Sequence, residues 1–547
     1  MDRIWYKFYD EGVPHSIDYP GKAMRDYFNE WATKNPDKPY MIWGDQQLSY
    51  GEANSIARKL ASSIIQLGYQ KGDRIALMTT NLPEYVLLLQ ACFKIGAAIV
   101  PTNPMYTVPE LTHQFKDSEA SIVFAEDRFA QKVVDIMNNG TTSVEKLVVI
   151  PTAAAVQFPE DSRIFWYDDL LDKGEDREPD IPVSSEDLAM LQYTGGTTGI
   201  SKGCMLSNAN LEAIAWQDKV WFAPAFKEEG TTGIRDMAAM PLYHIYGFNT
   251  SVNLNMVAGG TLIIVNDPSP GSLIKNINEH EPNFFAAVPA MIYGLNNHPD
   301  IGKSKIRSIK AMICGSSPLA VEGLNRFEEL SGAAITEGYG LSETSNVLTC
   351  TPMYTKRKIG SVGIPWPDVD IRIVDLEEGT KDMPLGEPGE LIAKGPQNMS
   401  AYWKNPEETA NTIRDGWLYT GDIATMDEDG FITIVDRKKD MMLCSGFNVF
   451  CREIDEVLYA HPKIQDACTI GVPDPKRGET PKVFIIVKPG ETMTEEEVIA
   501  HCRESLAAYK VPKYVEFIDE LPRTTVGKPM RNALRKMEKE RREKAGQ

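Results

Sequence analysis

Short apolar runs alternate with helix-length stretches between about residue 20 and residue 350. The runs are continuously apolar, as in strands that are buried on both faces of a parallel sheet. They comprise residues 74–80, 121–126, 146–150, 235–240, 261–265, 284–288 and 309–315. Helix-length stretches such as 83–96 and 319–332 lie between them. This alternation predicts an α/β fold with layered, mostly parallel sheets.

The pattern changes near residue 360. Segments 360–375 and 386–403 are rich in glycine and proline and alternate in polarity, which predicts a small β-subdomain. A charged group, DRKKD at 436–440, then separates two apolar runs, and a compact α+β pattern follows. We therefore predict a large N-terminal domain with several subdomains, residues 1–436, and a smaller α+β C-terminal domain, residues 437–547.

Composition and charge narrow the function classes. The formal net charge of −20 argues against a nucleic-acid partner, because phosphate backbones are bound by clustered lysine and arginine. The best apolar run, which begins at Glu84, is interrupted by Lys94 and is shorter than the ~20 residues of a membrane span. The eight cysteines are dispersed without metal-site spacing, which favours buried thiols in a reducing cytoplasm. We predict a cytoplasmic protein without an integral membrane segment; transient contact with a membrane surface and a homodimer stay open.

A stretch rich in glycine and hydroxyl groups, LQYTGGTTGISKG, occupies Leu191–Gly203. It does not fit the P-loop pattern, because Lys202 is followed by glycine rather than by serine or threonine. Glycines allow several backbone N–H groups to point at one anion, and threonines and a lysine add donors and charge. We predict a phosphate-binding loop between a strand and a helix capped by Ser207 or Asn208. The alternative is an ordinary glycine-rich turn.

The same stretch resembles the phosphate loop of the adenylate-forming superfamily, which includes acyl-CoA synthetases, adenylation domains and luciferases. It departs from the usual family pattern at Gly195 and Ser201, where relatives have serine and proline. Further motifs follow in the family's order: PLYHIYG (241–247), GSSP (315–318), EGYGLSET (337–344), YTGD (419–422), DRKKD (436–440) and PRTTVGKPMR (522–531). The resemblance thus extends over nearly the whole chain and looks closest to bacterial fatty-acyl-CoA synthetases.

The resemblance implies an ATP site with Mg²⁺. The ATP-binding residues that it implies are Thr194, Gly195, Gly196, Thr197, Thr198, Gly199, Lys202, Gly315, Ser316, Ser317, Glu337, Gly338, Tyr339, Gly340, Ser342, Asp422, Arg437 and Lys528. Asp422 would bind the ribose hydroxyls, and Glu343 would bind the metal, which neutralises phosphate charge. Lys528 would align the carboxylate with the α-phosphate for in-line attack, and Ser342 would donate to that phosphate.

The resemblance also implies a second half-reaction in the same site. The mobile C-terminal domain would swing about a hinge at Lys439, which withdraws Lys528 and brings Ser445 and Gly446 towards CoA. His244 would line the junction of the acyl and CoA channels. Candidate residues of the acyl pocket are Trp216, His244, Phe248, Ile313 and Gly315.

These motifs together predict an ATP-dependent carboxylic acid–CoA ligase that forms an acyl-adenylate and then a thioester, releasing pyrophosphate and AMP. A medium- to long-chain fatty acid is the preferred substrate class, and a cyclic or aromatic carboxylic acid is the alternative.

A different class of function, a non-catalytic nucleotide-binding protein, is the second hypothesis. Such a copy should have lost one of the key charged residues, yet Lys202, Glu343, Asp422 and Lys528 are all present. In isolation, Glu343 would be read as a helix cap, Lys528 as a surface lysine and His244 as a core histidine.

Overall fold

The computed structural model describes residues 3–154, 156–158, 160–194, 201–227, 230–317, 319–445, 447–523 and 529–544. In this part of the chain the strands form four sheets. Three of them are built from residues before 438, and the fourth is built from residues 442–517. All four are covered by helices or by neighbouring sheets.

The largest sheet has nine strands in the described residues, and most neighbours run parallel. In spatial order its strands are Ile364–Pro365, Asn346–Cys350, Ala334–Leu341, Ala311–Cys314, Phe284–Ala287, Arg235–Ala238, Thr261–Ile264, Pro39–Trp43 and Gln46–Ser49. The central strands are buried along their length, which explains why they are continuously apolar in sequence.

The second sheet has seven strands and is parallel except at its last pair. Its strands, in spatial order, are Ile164–Trp166, Lys146–Ile150, Ile122–Glu126, Arg74–Met78, Ala98–Pro101, Leu188–Tyr193 and Gly203–Ser207. The two large sheets together confirm the predicted mostly parallel layers.

Two smaller, mainly antiparallel sheets follow along the chain. The third sheet comprises Asp370–Val374, Gly389–Lys394, Trp417–Met426, Ile413–Arg414 and Ile432–Arg437. The fourth comprises Phe447–Val449, Met442–Cys444, Gly478–Val487, Ile464–Asp474 and Tyr514–Phe517. The apolar residues of the third sheet share a core with the largest sheet, and those of the fourth sheet form separate clusters, in agreement with the predicted β-subdomain and C-terminal α+β unit.

Helices cover these sheets. The α-helices of the described residues are Met24–Lys34, Tyr50–Gln66, Pro83–Ile95, Val108–Ser118, Asp127–Asn139, Tyr167–Lys173, Asn208–Phe222, Ile245–Gly247, Leu254–Ala258, Pro270–His280, Pro289–Asn296, Val321–Ser331, Pro406–Thr412, Cys451–Tyr459, Glu495–Ser505 and Arg531–Lys544. Short 3₁₀-helices occur at Ile4–Phe8, Ala223–Phe226, Thr231–Gly233, Ile301–Lys303, Ile306–Ser308 and Ser342–Thr344, and a π-helix at Phe248–Asn253.

The most apolar run of the sequence is a buried helix, Pro83–Ile95, within the core between the two large sheets. Its lysine, Lys94, is buried and pairs with Glu178 at 2.6 Å between Nζ and Oε2. Among the helices described here, none combines the length and apolar character needed to cross a membrane. All eight cysteines lie in described residues and are buried free thiols.

The glycine-rich loop differs from its predicted setting. A strand, Gly203–Ser207, follows it and pairs antiparallel with Leu188–Tyr193, so the loop joins a hairpin rather than a strand and a helix. The helix Asn208–Phe222 begins only after this strand, with Ser207 as the cap that accepts from the Asn210 N–H. The prediction missed the strand because GCMLS is short and stands directly before the cap. Any anion bound by the loop is therefore not at the N-terminus of this helix.

Candidate active site

A cleft of about 1040 Å³ lies where the two large sheets meet the third sheet. Many of the residues that line it come from sequence motifs that are far apart along the chain. The predicted site residues that line it are Thr194, Lys202, His244, Ile313, Gly315, Ser316, Ser317, Glu337, Gly338, Tyr339, Gly340, Ser342, Glu343, Asp422, Arg437 and Lys439. The motifs thus converge on a single cavity.

Other predicted site residues either lie outside the described residues or do not line the cleft. Gly195, Gly196, Thr197, Thr198, Gly199, Gly446 and Lys528 lie outside the described residues. Ser445 is exposed in the fourth sheet, with φ of 56° and its N–H donating to the Arg477 carbonyl at 2.7 Å. It is not among the residues that line the cleft.

Two candidates for the acyl pocket, Trp216 and Phe248, are not among the residues that line the cleft. The Trp216 Nε1–H donates to the Tyr27 hydroxyl at 2.8 Å, and the Lys219 ammonium lies 4.2 Å from the Trp216 ring centroid. Phe248 is fully buried in the core, with its ring 6.5 Å from that of Phe93. Large aromatic side chains are as suited to a core as to a pocket, so the sequence could not separate the two roles.

One end of the cleft is built around a buried carboxylate. Asp422 and Arg437 lie opposite each other on paired strands, and the Arg437 Nε is 3.2 Å from Asp422 Oδ1. The Tyr339 hydroxyl donates to Asp422 Oδ2 at 2.6 Å. Burial and the Asp422 charge raise the pKa of Tyr339 well above its ordinary value, so the phenol stays a donor. A carboxylate fixed in this way can still accept from sugar hydroxyls, and the Tyr339 ring offers a flat face beside it.

The other end is built around Tyr402. Its hydroxyl donates to Glu343 Oε1 at 2.7 Å, and the Lys202 ammonium lies 4.6 Å from its ring centroid. Lys202 also forms an ion pair with Glu408. The loop that carries Lys202 is closed at its base, where the Thr194 N–H donates to the Lys202 carbonyl at 3.0 Å. A cation, a carboxylate and an aromatic ring therefore face the same space.

Glu343 fits a metal that is shared with a substrate. Tyr402 occupies Oε1, which leaves further lone pairs of the carboxylate for a ligand. No group of three or more His, Cys, Asp or Glu able to hold a metal occurs among the described residues. Mg²⁺ takes one or two protein carboxylates and completes its shell with phosphate oxygens and water, so the unoccupied oxygen of Glu343 is chemically suited to it.

Near His244 the cleft is lined by Tyr243, Ile245 and Tyr246. His244 caps a short helix, its Nδ1 accepting from the Tyr246 N–H at 3.2 Å. Tyr246 lines the cleft, and its side chain is held in place because its hydroxyl lies 3.0 Å from the Ala287 carbonyl oxygen and 2.9 Å from that of Ile313. The π-helix Phe248–Asn253 follows directly, a feature that is frequent at functional sites.

Gly340 is required by the strand pairing behind the cleft. A Cβ at this position would lie 1.5 Å from the Asn346 carbonyl oxygen of the adjacent strand. The contact with Asn346 gives a reason for glycine here within the fold itself.

The segment between the third and fourth sheets is held by a charge network. The buried Asp436 accepts through Oδ2 from the Arg452 N–H at 3.2 Å, at the start of the helix Cys451–Tyr459. Arg531 contacts Asp455 at 2.6 Å and Asp440 at 3.5 Å. Hydrogen bonds and ion pairs therefore connect residues on both sides of the predicted hinge.

Lys439 lies in this segment and lines the cleft. Burial, followed by the charge of Arg437, lowers the pKa of Lys439 to about 8. Its ammonium is therefore easier to neutralise than that of an ordinary surface lysine.

Comparison with known families agrees with this geometry. A model described as AMP-binding enzyme matches residues 28–403, and one described as AMP-binding enzyme C-terminal domain matches residues 453–528. The chain belongs to the AMP-binding enzyme family. This confirms the resemblance that the motifs predicted. The domain boundary between residues 436 and 437 stays a prediction, because neither match covers that segment.

Individual relatives cover almost the whole of this AMP-binding enzyme. A long-chain-fatty-acid–CoA ligase of Bacillus subtilis is 36% identical, covering 98% of both chains. A feruloyl-CoA synthase of Amycolatopsis is 32% identical, covering 92% of this chain and 97% of its own. The crystal structure of ATP-bound MatB from Rhodopseudomonas palustris has a TM-score of 0.83 at 30% identity, covering 94% of this chain and 98% of MatB. The last likeness confirms the predicted fold class.

Sequence reasoning missed several residues that line the cleft of this AMP-binding enzyme. Tyr402 was read only as part of the segment 386–403 of the β-subdomain, and Glu408, which follows that segment, was given no role. Arg452 and Arg531 also line the cleft. Arg531 ends the motif PRTTVGKPMR, three residues after Lys528. That closeness to a predicted catalytic lysine was the signal that could have identified it.

Proposed function

We propose that this enzyme is an AMP-forming carboxylic acid–CoA ligase that uses ATP, Mg²⁺ and CoA. The observation that carries the proposal is a single cleft with two different clusters of charged and aromatic side chains, one at each end. The Asp422–Tyr339–Arg437 cluster suits ribose and base, and the Lys202–Tyr402–Glu343 cluster suits phosphates and a metal. Full-length relatives named as acid–CoA ligases support the same reaction class.

In the first half-reaction the acid carboxylate attacks the α-phosphorus and pyrophosphate leaves. Lys202 and the threonines and glycines 194–199 would hold the leaving pyrophosphate. Ser342 and Lys528 would donate to the α-phosphate, where charge develops in the transition state. Glu343 is the proposed ligand of Mg²⁺, which supplies neutralisation of phosphate charge when it is bound with ATP.

In the second half-reaction the CoA thiol attacks the acyl-adenylate carbonyl, and AMP leaves. We propose that the C-terminal domain, residues 437–547, rotates about Lys439 and presents Ser445 and Gly446 to CoA. His244 would separate the acyl channel from the CoA channel. The exposed position of Ser445 in the fourth sheet is compatible with such a role in another domain arrangement.

A medium- to long-chain fatty acid is the proposed substrate class. Relatives named for long-chain fatty acids support it, as does an apolar wall that includes Ile313 and Val347. Each buried methylene contributes about 0.8 kcal/mol, so the depth of the acyl channel can select chain length. A cyclic or aromatic acid is the second candidate, favoured by the relative named feruloyl-CoA synthase.

Pyrophosphate release across a panel of carboxylic acids tests the proposal. We expect release with ATP and Mg²⁺ for fatty acids of one length range, and AMP with a thioester once CoA is added. Release with benzoate or ferulate instead would keep the reaction and replace the substrate class. Absence of release with every acid would favour a non-catalytic nucleotide-binding protein.

Asp422→Asn is expected to weaken binding of ATP and AMP about 10-fold, since the amide cannot accept from two ribose hydroxyls as a carboxylate does. Isothermal titration with AMP measures this directly. Asp382→Asn, which alters an exposed carboxylate paired with Arg372, is the control and should bind AMP like the wild type. Equal affinity in Asp422→Asn and Asp382→Asn would remove Asp422 from the nucleotide site.

A further inference from the structure

Lys202 has two different partners in the cleft. One is the face of the Tyr402 ring, 4.6 Å from the ammonium, and the other is the carboxylate of Glu408. The ring is fixed in place, because Tyr402 is buried and its hydroxyl is bound to Glu343. The Glu408 side chain is 38% exposed and can move. One partner of the lysine is thus permanent and the other is exchangeable.

The short helix Pro406–Thr412 supports both partners. Asn405 caps it by accepting from the Glu408 N–H at 3.1 Å, which fixes the backbone of Glu408. The Tyr402 N–H donates to the Thr409 hydroxyl at 3.0 Å, which ties Tyr402 to the same helix. The Glu408 carboxylate can therefore leave Lys202 by rotating its side chain, without displacing Tyr402.

We propose that Glu408 is the resident counter-anion of Lys202, and that the phosphates of ATP take its place in the cleft. This rests on the proposed function, in which Lys202 holds the pyrophosphate part of ATP. A carboxylate and a polyphosphate cannot both stay beside one ammonium without repelling each other. Glu408 must therefore be displaced when ATP binds, and it competes for Lys202 when pyrophosphate leaves.

The exchange gives Glu408 a positioning role in product release. In the empty cleft it holds the ammonium over the Tyr402 ring, where incoming phosphates meet it. After the chemical step the returning carboxylate weakens the hold on pyrophosphate. A partly exposed ion pair is weak enough to be broken by a multiply charged ligand, yet strong enough to affect the affinity of that ligand.

Binding of pyrophosphate and of ATP, each with Mg²⁺, tests this by isothermal titration on the full chain. Glu408→Gln should bind both about 5-fold more tightly than the wild type, the most that a partly exposed pair is expected to contribute. Pyrophosphate should also become a stronger product inhibitor. Glu408→Ala should change affinity in the same direction. Glu407→Gln alters an exposed glutamate of the same helix and should behave like the wild type.

A double-mutant cycle with Lys202→Met distinguishes competition between Glu408 and phosphate for Lys202 from a general effect of the negative charge of Glu408 on the cleft. The increase in affinity that Glu408→Gln causes should disappear when Lys202 is replaced. Unchanged or weaker binding in Glu408→Gln, or a gain that persists without Lys202, would overturn the counter-anion role while leaving the ligase proposal intact. Failure of the wild type to bind ATP or pyrophosphate would instead overturn the proposed function, and this role with it.

Discussion

Replacing Lys528 by alanine is expected to slow pyrophosphate release from ATP and the acid by about 100-fold or more. The lysine is proposed to donate to the carboxylate and the α-phosphate as charge develops between them, and loss of one such donor costs about this much. Arg531 of the same motif lines the cleft, which supports delivery of this segment to the reacting atoms. Rapid-quench measurement of the first turnover gives the rate of this half-reaction.

The same variant should retain the second half-reaction. When acyl-adenylate and CoA are supplied, Lys528→Ala should form thioester at close to the wild-type rate, because the lysine is proposed to be withdrawn by then. Lys488→Ala removes an exposed lysine of the same domain and should leave both half-reactions unchanged. Equal losses in both half-reactions of Lys528→Ala would contradict the domain rotation.

The layers of the fold could be predicted because buried parallel strands are continuously apolar. The run at 146–150 is a strand with those same bounds, and the helix at 83–96 is in place. The pairing of Asp422 with Arg437 is different, since it depends on which strands lie side by side. The motifs implied a ribose role for Asp422 and an ATP-binding role for Arg437, but not that the two side chains pair with each other.

The sequence could not show which residues that are far apart along the chain lie next to each other in the fold. Tyr402 contacts Glu343, in the 3₁₀-helix Ser342–Thr344, and Lys202, just before the strand Gly203–Ser207, and both are distant from it along the chain. Nothing in AYWKNPEET signals those contacts, because a tyrosine and a glutamate in a polar segment suit a surface equally well. Conversely, Trp216 and Phe248 were named as candidates for the acyl pocket, and neither is among the residues that line the cleft.

Lys439→Pro is expected to slow the CoA-dependent half-reaction by about 100-fold while leaving pyrophosphate release within about 3-fold of the wild type. Proline fixes φ near −65°, removes the N–H group and restricts the preceding residue to extended conformations. A hinge at this position would then lose the rotation that the second half-reaction needs. The two half-reactions are measured separately, as pyrophosphate release and as thioester formation from supplied acyl-adenylate.

Lys439→Ala is the matched control, because it removes the ammonium but leaves the backbone free to rotate. It should keep the CoA-dependent rate within a few fold, since the proposed hinge role belongs to the backbone. If alanine slows thioester formation as much as proline does, the side chain whose pKa is lowered to about 8 acts in the reaction itself. If neither substitution changes that rate, rotation occurs elsewhere, and the contacts of Asp436 with Arg452 and Arg531 become the next place to look for the hinge.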